Sequence, residues 1–292
     1  MSTHQLHAEH QRTFDDYRFV YPVLSRRSGG MSIGVNLNPD KVCNFDCIYC
    51  QVDRTTQSET RFVGMDQLLD ELSQLLPLVA SGEIYQTEKF ASVPKELRRL
   101  NDIAFSGDGE PTTYKNFDQI IAACAEIKRA AGLDDVKMVL ITNASMFHRE
   151  HVQRGLEILD ANQGQIWAKL DAGTEEYYQL IERTPIPFQR VLDNITAAAR
   201  IRPLVIQSLF MQVDGVPPTD VEIVAFCDRL NEVLAAGGKL SLVQIYTIAR
   251  RPAESYVTPL SNAAVDAIVG QVRQHVGVPA VAFYSCSAEE SN

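Results

Sequence analysis

Lys41-Val42-Cys43-Asn44-Phe45-Asp46-Cys47-Ile48-Tyr49-Cys50-Gln51 places three of the chain's six cysteines within a few residues of one another, spaced C-x3-C-x2-C. A loop of that spacing can turn all three sulfurs inward around one small inorganic group. Thiolates are the soft ligands that iron–sulfur clusters select. A [4Fe–4S] cube has four irons, so three thiolates leave one iron without a protein ligand. An open coordination position of this kind is where metal chemistry takes place. The next cysteine is Cys124, so nothing nearby in the chain supplies a fourth sulfur. A zinc knuckle or a set of unrelated core cysteines is the competing reading. Zinc takes four ligands, commonly as two C-x2-C-like pairs, and the remaining pair is absent, so spacing and ligand count favour the cluster.

With an aromatic, Tyr49, just before the last cysteine, the loop resembles the cluster loop of the radical S-adenosylmethionine (SAM) superfamily. The resemblance implies that Cys43, Cys47 and Cys50 hold a [4Fe–4S] cluster whose open iron chelates the amino and carboxylate groups of SAM. One electron from the reduced cluster then cleaves SAM, and the 5′-deoxyadenosyl radical abstracts a hydrogen atom from a substrate. It further implies a reducing electron donor of the flavodoxin or ferredoxin kind, a place for Tyr49 beside the adenine of SAM, and a low-potential cluster that needs a reducing compartment. Phe45 is expected to shield the cluster from water, which tunes its potential.

A second motif is Ser106-Gly107-Asp108-Gly109-Glu110-Pro111-Thr112. Two glycines let backbone approach a ligand closely, and exposed N–H groups with a carboxylate can grip a zwitterion. The segment is similar to the superfamily's GGE-type motif, which binds the SAM amino group, with Asp108 standing where a glycine is usual. The resemblance therefore assigns Gly107, Asp108, Gly109 and Glu110 to the methionine end of SAM. Asn143, Asp171 and Gln207, at or near the ends of later strands, are the expected partners of its ribose and carboxylate. Asp171 reads equally well as a helix cap or salt-bridge residue. Lys169 alternates with Leu170 and, if buried, needs an acid or a substrate as partner. Gln244 and Tyr246 are candidates for the substrate side.

The chain has 292 residues, 45% of them apolar, which suits a single α/β barrel with a large core. No apolar run approaches the roughly 20 residues that cross a bilayer, and the polar start Met1-Ser2-Thr3-His4-Gln5 has no secretory apolar segment. Three clustered and three scattered cysteines are not a disulfide framework. A cytoplasmic protein with no membrane partner is expected. The formal charge of −10 argues against a broad nucleic-acid face while leaving a local basic mouth open. Arg26-Arg27, Lys95 to Arg99 and Arg250-Arg251 read as solvated surface. His4, His7 and His10 read as frayed chain rather than a metal site. Cys124, Cys227 and Cys286 read as buried structural thiols rather than ligands of a second cluster, Cys286 in its polar tail being the least explained of the three.

Outward from the loop, strand-like runs alternate with helical patterns. Expected strands are 31–36, 102–105, 137–142, 165–170, 204–213, 240–248 and 279–284. Expected helices are 65–79, with Leu68, Leu69, Leu72, Leu75, Leu76 and Val79 at helical spacing, then 117–130, 148–159, 175–181, 189–200, 221–234 and 262–276. Phe14 to Leu24 reads as a segment packing on the domain, Arg26 to Gly30 as a turn, and 82–99 as an irregular insertion. Repeated strand-then-helix units call for parallel strands and right-handed crossovers. The expected fold class is therefore α/β. By the resemblance it is a partial (β/α)6 TIM-type barrel of the radical SAM kind, with an N-terminal extension at 1–30, the core barrel at 31–276 and a C-terminal strand and tail at 277–292. The cysteine loop, following the first barrel strand, belongs at the C-terminal rim, where such sheets keep their chemistry.

Within the superfamily, Gly34-Val35-Asn36-Leu37-Asn38-Pro39, the loop from Phe45 to Gln51, Gly107 to Thr112 and Lys169-Leu170-Asp171-Ala172-Gly173 are similar to bacterial relatives of the wyosine-type tRNA-base synthetases. Those enzymes carry a second cluster, and no second cysteine motif occurs here. The expectation is a radical SAM enzyme of unknown substrate. A tRNA-base-modifying enzyme of the wyosine-synthetase type and a non-catalytic iron–sulfur or zinc redox sensor stand as alternatives.

Overall fold

The computed structural model describes residues 6, 14–58 and 60–285; His4, His7, His10 and Cys286 lie outside the described residues. The described chain divides into two compact units. One runs up to Cys43 and includes Thr56–Ile141 and Arg149–Gln165; the other comprises Asn44–Thr55, Thr142–His148 and the chain from Ile166 onward.

In the first unit, strands β1 (Val20–Ser25), β2 (Gly30–Val35), β3 (Leu100–Phe105) and β4 (Lys137–Thr142) lie side by side in that order. β1 is antiparallel to β2, while β2, β3 and β4 are parallel. Helices α1 (Met65–Ala80), α2 (Phe117–Ala130) and α3 (Glu150–Asp160) supply the crossovers that parallel strands require. Most of the expected stripe of α1 is inside: Leu68, Leu72, Leu75, Leu76 and Val79 are buried, while Leu69 is only partly so. α2 packs on α3 closely enough that a side-chain carbon on Gly155 would run into the Phe117 ring. Residues 82–99 are irregular, as expected, with two short 3₁₀ turns at Glu83–Gln86 and Lys95–Leu97.

β1 departs from the sequence expectation, which gave these residues only a packing role. Val20 and Tyr21 are both buried, so the alternation that marks a half-buried strand is missing. The strand is fixed from two sides. Its partner is β2, and the N–H groups at its entry are taken by Glu71 of α1. The buried Glu71 carboxylate accepts from Arg18 N at 3.0 Å, Phe19 N at 2.8 Å and Val20 N at 3.0 Å.

The second unit repeats the strand–helix alternation. In chain order it contains β5 (Gly164–Lys169), α4 (Glu175–Glu182), α5 (Phe188–Ile201), β6 (Leu204–Leu209), β7 (Met211–Val213), α6 (Asp220–Ala235), β8 (Leu240–Tyr246), β9 (Val257–Pro259), α7 (Asn262–His275) and β10 (Ala280–Phe283). β5, β6, β8 and β10 run parallel in that order. Hydroxyl caps start three of the helices: Thr174 accepts from Tyr177 N, Thr219 from Glu222 N and Ser261 from Ala264 N. The single strand expected over 204–213 is in fact two. β6 stops at Leu209, and β7 leaves it to form a separate antiparallel pair with β9. Phe210, at the break, still donates its N–H to Tyr246 O at 2.9 Å. Among the described residues no helix is long and apolar enough to cross a membrane.

Candidate functional site

The boundary between the units falls between Cys43 and Asn44. In the second unit, the loop from Asn44 is held on the C-terminal end of α4. Asp46 N donates to Glu182 O at 3.1 Å and Ile48 N to Ile181 O at 2.9 Å. These are carbonyls that a helix end leaves without intrahelical donors. Cys50 N donates to Cys47 O at 2.9 Å, and Ala253 N to Cys50 O at 3.0 Å. Phe45 meets Tyr178 of α4 edge to face at 6.0 Å, and Tyr178 stacks on Phe188 at 4.8 Å. Asn143 is engaged with the loop: its Nδ2 donates to Asn44 Oδ1 at 2.8 Å, while Asn44 Nδ2 donates to Ser145 Oγ at 2.7 Å.

Beneath the loop is a buried polar centre that joins three expected site residues to others. The Cys47 thiol donates to Glu182 Oε2 at 2.6 Å. Tyr49 OH donates to Asp171 Oδ2 at 2.5 Å and lies 3.3 Å from Glu182 Oε1. Asp171 also accepts from Leu209 N at 2.7 Å and pairs with the Lys169 ammonium at 2.9 Å. Lys169 Nζ donates to Tyr246 OH at 2.9 Å and sits over the Tyr49 ring, 4.8 Å from its centroid. Asp171 thus makes an ion pair, as one of its sequence readings allowed. Lys169, Gln207 and Gln244 occupy one row across β5, β6 and β8, and Gln207 Nε2 donates to Gln244 Oε1 at 2.7 Å.

Burial governs the electrostatics. It pushes the Glu182 carboxyl up to about 8, helped by the Asp171 charge and opposed by Lys169. Burial also raises the Cys47 thiol well above its ordinary range, with the Glu182 charge adding to it. Burial, then Asp171, raises the Tyr49 phenol. For Lys169 burial works downward, but Asp171 and Tyr246 outweigh it, and the amine stays an ammonium. A buried lysine with a hydrogen-bonded carboxylate partner is the arrangement that makes such a charge tolerable.

In the first unit, Gly107 to Glu110 follow β3 and close on the segment 36–42. Asn36 organises the turn: its Oδ1 accepts from Asp108 N at 3.2 Å and Asn38 N at 3.0 Å, and its Nδ2 donates to Asp108 Oδ2 at 2.7 Å. A side-chain carbon on Gly107 would overlap Asn36; one on Gly109 would overlap the carbonyl of Val42, the residue before Cys43. Both glycines are therefore required by close packing within the protein, Gly107 against Asn36 and Gly109 against the Val42 carbonyl. The buried Glu110 carboxylate accepts from Thr112 N at 3.1 Å and Thr112 Oγ1 at 2.5 Å, and so caps the 3₁₀ turn Pro111–Thr113.

The residues fit a [4Fe–4S] cluster with SAM on three observations. Cys43, Cys47 and Cys50 are only partly buried, whereas Cys124 and Cys227 are buried structural thiols, Cys124 being pushed up to about 12 by burial. The motif supplies three soft thiol donors, one of which, Cys47, is hydrogen-bonded to the Glu182 carboxyl. Gln207 Oε1 is buried without a hydrogen-bond partner, an acceptor waiting for a donor at a cost of about 1–3 kcal/mol when left empty. Among the described residues no group of three or more His, Cys, Asp or Glu side chains, the motif cysteines included, is already drawn together to hold a metal ion. Sequence reasoning missed Asn36, Arg54 and Glu182. For Glu182 a signal existed: it continues the buried stripe Tyr178–Ile181 of α4, where a carboxylate needs a reason.

A family model described as the radical SAM superfamily matches residues 37–230. The chain is 28% identical to GTPase Obg of Brachyspira hyodysenteriae over 63% of its length, but spans only 24% of that protein. It is 24% identical to a UPF0026 protein of Methanocaldococcus jannaschii over 88% of its length and 71% of the relative's. The crystal structure of Streptococcus suis SuiB bound to S-adenosylmethionine superposes with a TM-score of 0.59 at 12% identity, covering 88% of this chain and 52% of that one. At that identity the likeness speaks to the fold, which is α/β, a partial (β/α)6 barrel.

Proposed function

The chain belongs to the radical SAM superfamily, and from that premise we propose that it is a SAM-cleaving radical enzyme acting on a substrate of unknown identity. The carrying observation is the three-thiol loop, partly exposed and fastened to the end of α4, with no further cysteine beside it in the chain. Cys43, Cys47 and Cys50 would hold a [4Fe–4S] cluster, which when bound and reduced supplies the electron that cleaves SAM to a 5′-deoxyadenosyl radical. The remaining work falls to the protein. Gly107 to Glu110 bring backbone close to the methionine end of SAM. Tyr49, held by Asp171, has its ring fixed beside the loop, and Asn143 sets the loop's entry through Asn44. Gln207 offers its carbonyl oxygen to a donor on the ligand. Lys169 and Tyr246 form a fixed polar wall on the substrate side, and the packed Phe45–Tyr178–Phe188 stack keeps water out. We assign 31–276 to the catalytic core, with 1–30 and 277–292 as its extensions. A cytoplasmic one-electron donor of flavodoxin or ferredoxin type would feed the cluster.

The test is anaerobic reconstitution with iron and sulfide, followed by incubation with SAM and dithionite. The expected results are close to four irons per chain and release of 5′-deoxyadenosine and methionine. A protein that binds the cluster yet releases no 5′-deoxyadenosine is a sensor rather than a radical enzyme.

A further inference from the structure

Arg54 lies four residues past the last cysteine of the motif, and its Nη2 donates to Cys50 Sγ at 3.4 Å. The contact sits on a fastened piece of chain. Cys50 O accepts from Ala253 N at 3.0 Å. Gln51 and Arg250 exchange two hydrogen bonds, Arg250 Nη1 to Gln51 Oε1 at 3.1 Å and Gln51 Nε2 to Arg250 O at 3.4 Å. Arg54 is itself half-buried against this loop. The two motif sulfurs of this unit therefore meet opposite neighbours: Cys47 a carboxyl, Cys50 a guanidinium.

We propose that Arg54 tunes the iron–sulfur cluster, its guanidinium stabilising the one-electron-reduced state through the Cys50 sulfur. The inference rests on the reading of the three cysteines as cluster ligands. Bound to iron, Cys50 is a thiolate, and a guanidinium N–H to a thiolate is a charge-assisted hydrogen bond. Reduction adds one electron from an external low-potential donor; no bond is made or broken and no proton moves. The reduced cluster with its thiolates carries one more negative charge than the oxidised form, so a fixed cation against one sulfur favours it. Hydrogen bonds to cluster sulfurs and net charge are established determinants of cluster potentials. Arginine suits the task because it stays charged at every working pH and its fork keeps an N–H directed at the sulfur.

The experiment uses the full chain, reconstituted with iron and sulfide, as wild type, Arg54→Lys and Arg54→Gln. Each is poised with redox mediators and dithionite in the absence of SAM, and the reduced fraction is read by electron paramagnetic resonance. Omitting SAM separates tuning from any role in ligand binding. With iron content per chain equal to wild type, Arg54→Gln is expected to lower the reduced-to-oxidised ratio at a fixed potential about tenfold, which is about 59 mV for a one-electron couple. Arg54→Lys keeps the charge and is expected to stay within about threefold, roughly 0.6 kcal/mol. Equal ratios in wild type and Arg54→Gln overturn the proposal. If Arg54→Gln holds no cluster, Arg54→Met is read in its place by the same criterion: a tenfold fall supports the proposal and an unmoved ratio overturns it. A wild-type protein that takes up no four-iron cluster overturns the functional reading itself, a result distinct from an intact cluster with an unmoved potential.

Discussion

Replacing Gly109 with alanine adds one carbon at a place with no room for it. The new atom would sit 2.7 Å from Asn38 Cβ and 2.8 Å from Val42 C, with the Val42 oxygen closer still. Ordinary contact begins at 3.4 Å, so the shortfall is about 0.7 Å on the Asn38 side and more toward the carbonyl. Two of the three obstacles are backbone atoms, which cannot rotate away. Forcing a methyl into packed surroundings costs typically about 1–3 kcal/mol, and here the upper end applies because main chain has to yield. The displaced residue precedes Cys43, so the cost is accompanied by movement of a proposed cluster ligand. The assay has two parts: urea unfolding of the iron-free protein, and iron per chain after anaerobic reconstitution. Gly270→Ala is the matched control. It lies inside α7 with nothing within 4 Å of the added carbon, and alanine there should stabilise by about 0.5–1 kcal/mol. Gly109→Ala should lose about 2–3 kcal/mol and much of its iron. Stability within about 0.5 kcal/mol of wild type, with full iron, would refute the claim that the turn and the cysteine segment are in backbone contact.

Cys47→Ala is expected to abolish cluster assembly, while Cys124→Ala, at a fully buried thiol on α2, should retain iron and lose only packing stability; iron and sulfide determination on both variants checks this. Glu71→Leu should cost on the order of 3 kcal/mol or more, since three backbone N–H groups lose their acceptor, and should speed amide exchange at Arg18, Phe19 and Val20. Asp102 titrates above the ordinary carboxylate range, chiefly through burial, although its hydrogen bond from Ser32 works the other way. The folded protein therefore holds that proton to a higher pH than the unfolded chain does. The group's contribution is whole below about pH 3.9, the unfolded value, and is lost as pH rises through the folded one. Denaturation curves from pH 4 to 8 should show wild type losing ground to Asp102→Asn as pH rises; parallel curves would contradict the assignment.

Which features the sequence disclosed follows from the range of the interactions involved. The stripe from Leu68 to Val79 repeats every turn of α1, so its period could be read directly, and the C-x3-C-x2-C spacing needs no partner outside its own loop. β1 was hidden because both its faces are covered, and because its entry is held by Glu71, some fifty residues further on. The end of β6 at Leu209 depends on a pairing between β7 and β9 that no local signal announces. Glu182 meets Cys47 across 135 positions, a distance at which only the folded chain reveals the contact. The hydrogen bond of Asn143 to Asn44 likewise joins it to a loop about a hundred residues earlier in the chain, which its place at a strand end does not announce.

The attachment of the Asn44–Gln51 segment to the last turn of α4 has a consequence for motion. α4 has only eight residues, and its start is itself tied down by Glu222, which accepts from Gly173 N at 2.5 Å and Thr174 Oγ1 at 2.6 Å. The amides of Asp46 and Ile48 can exchange with solvent only when that short helix lets go, so their exchange rates should rise and fall together with those of α4. A substitution at Glu222, which hydrogen-bonds Gly173 and Thr174 rather than the loop, would then be felt as fraying of the loop that carries Cys47.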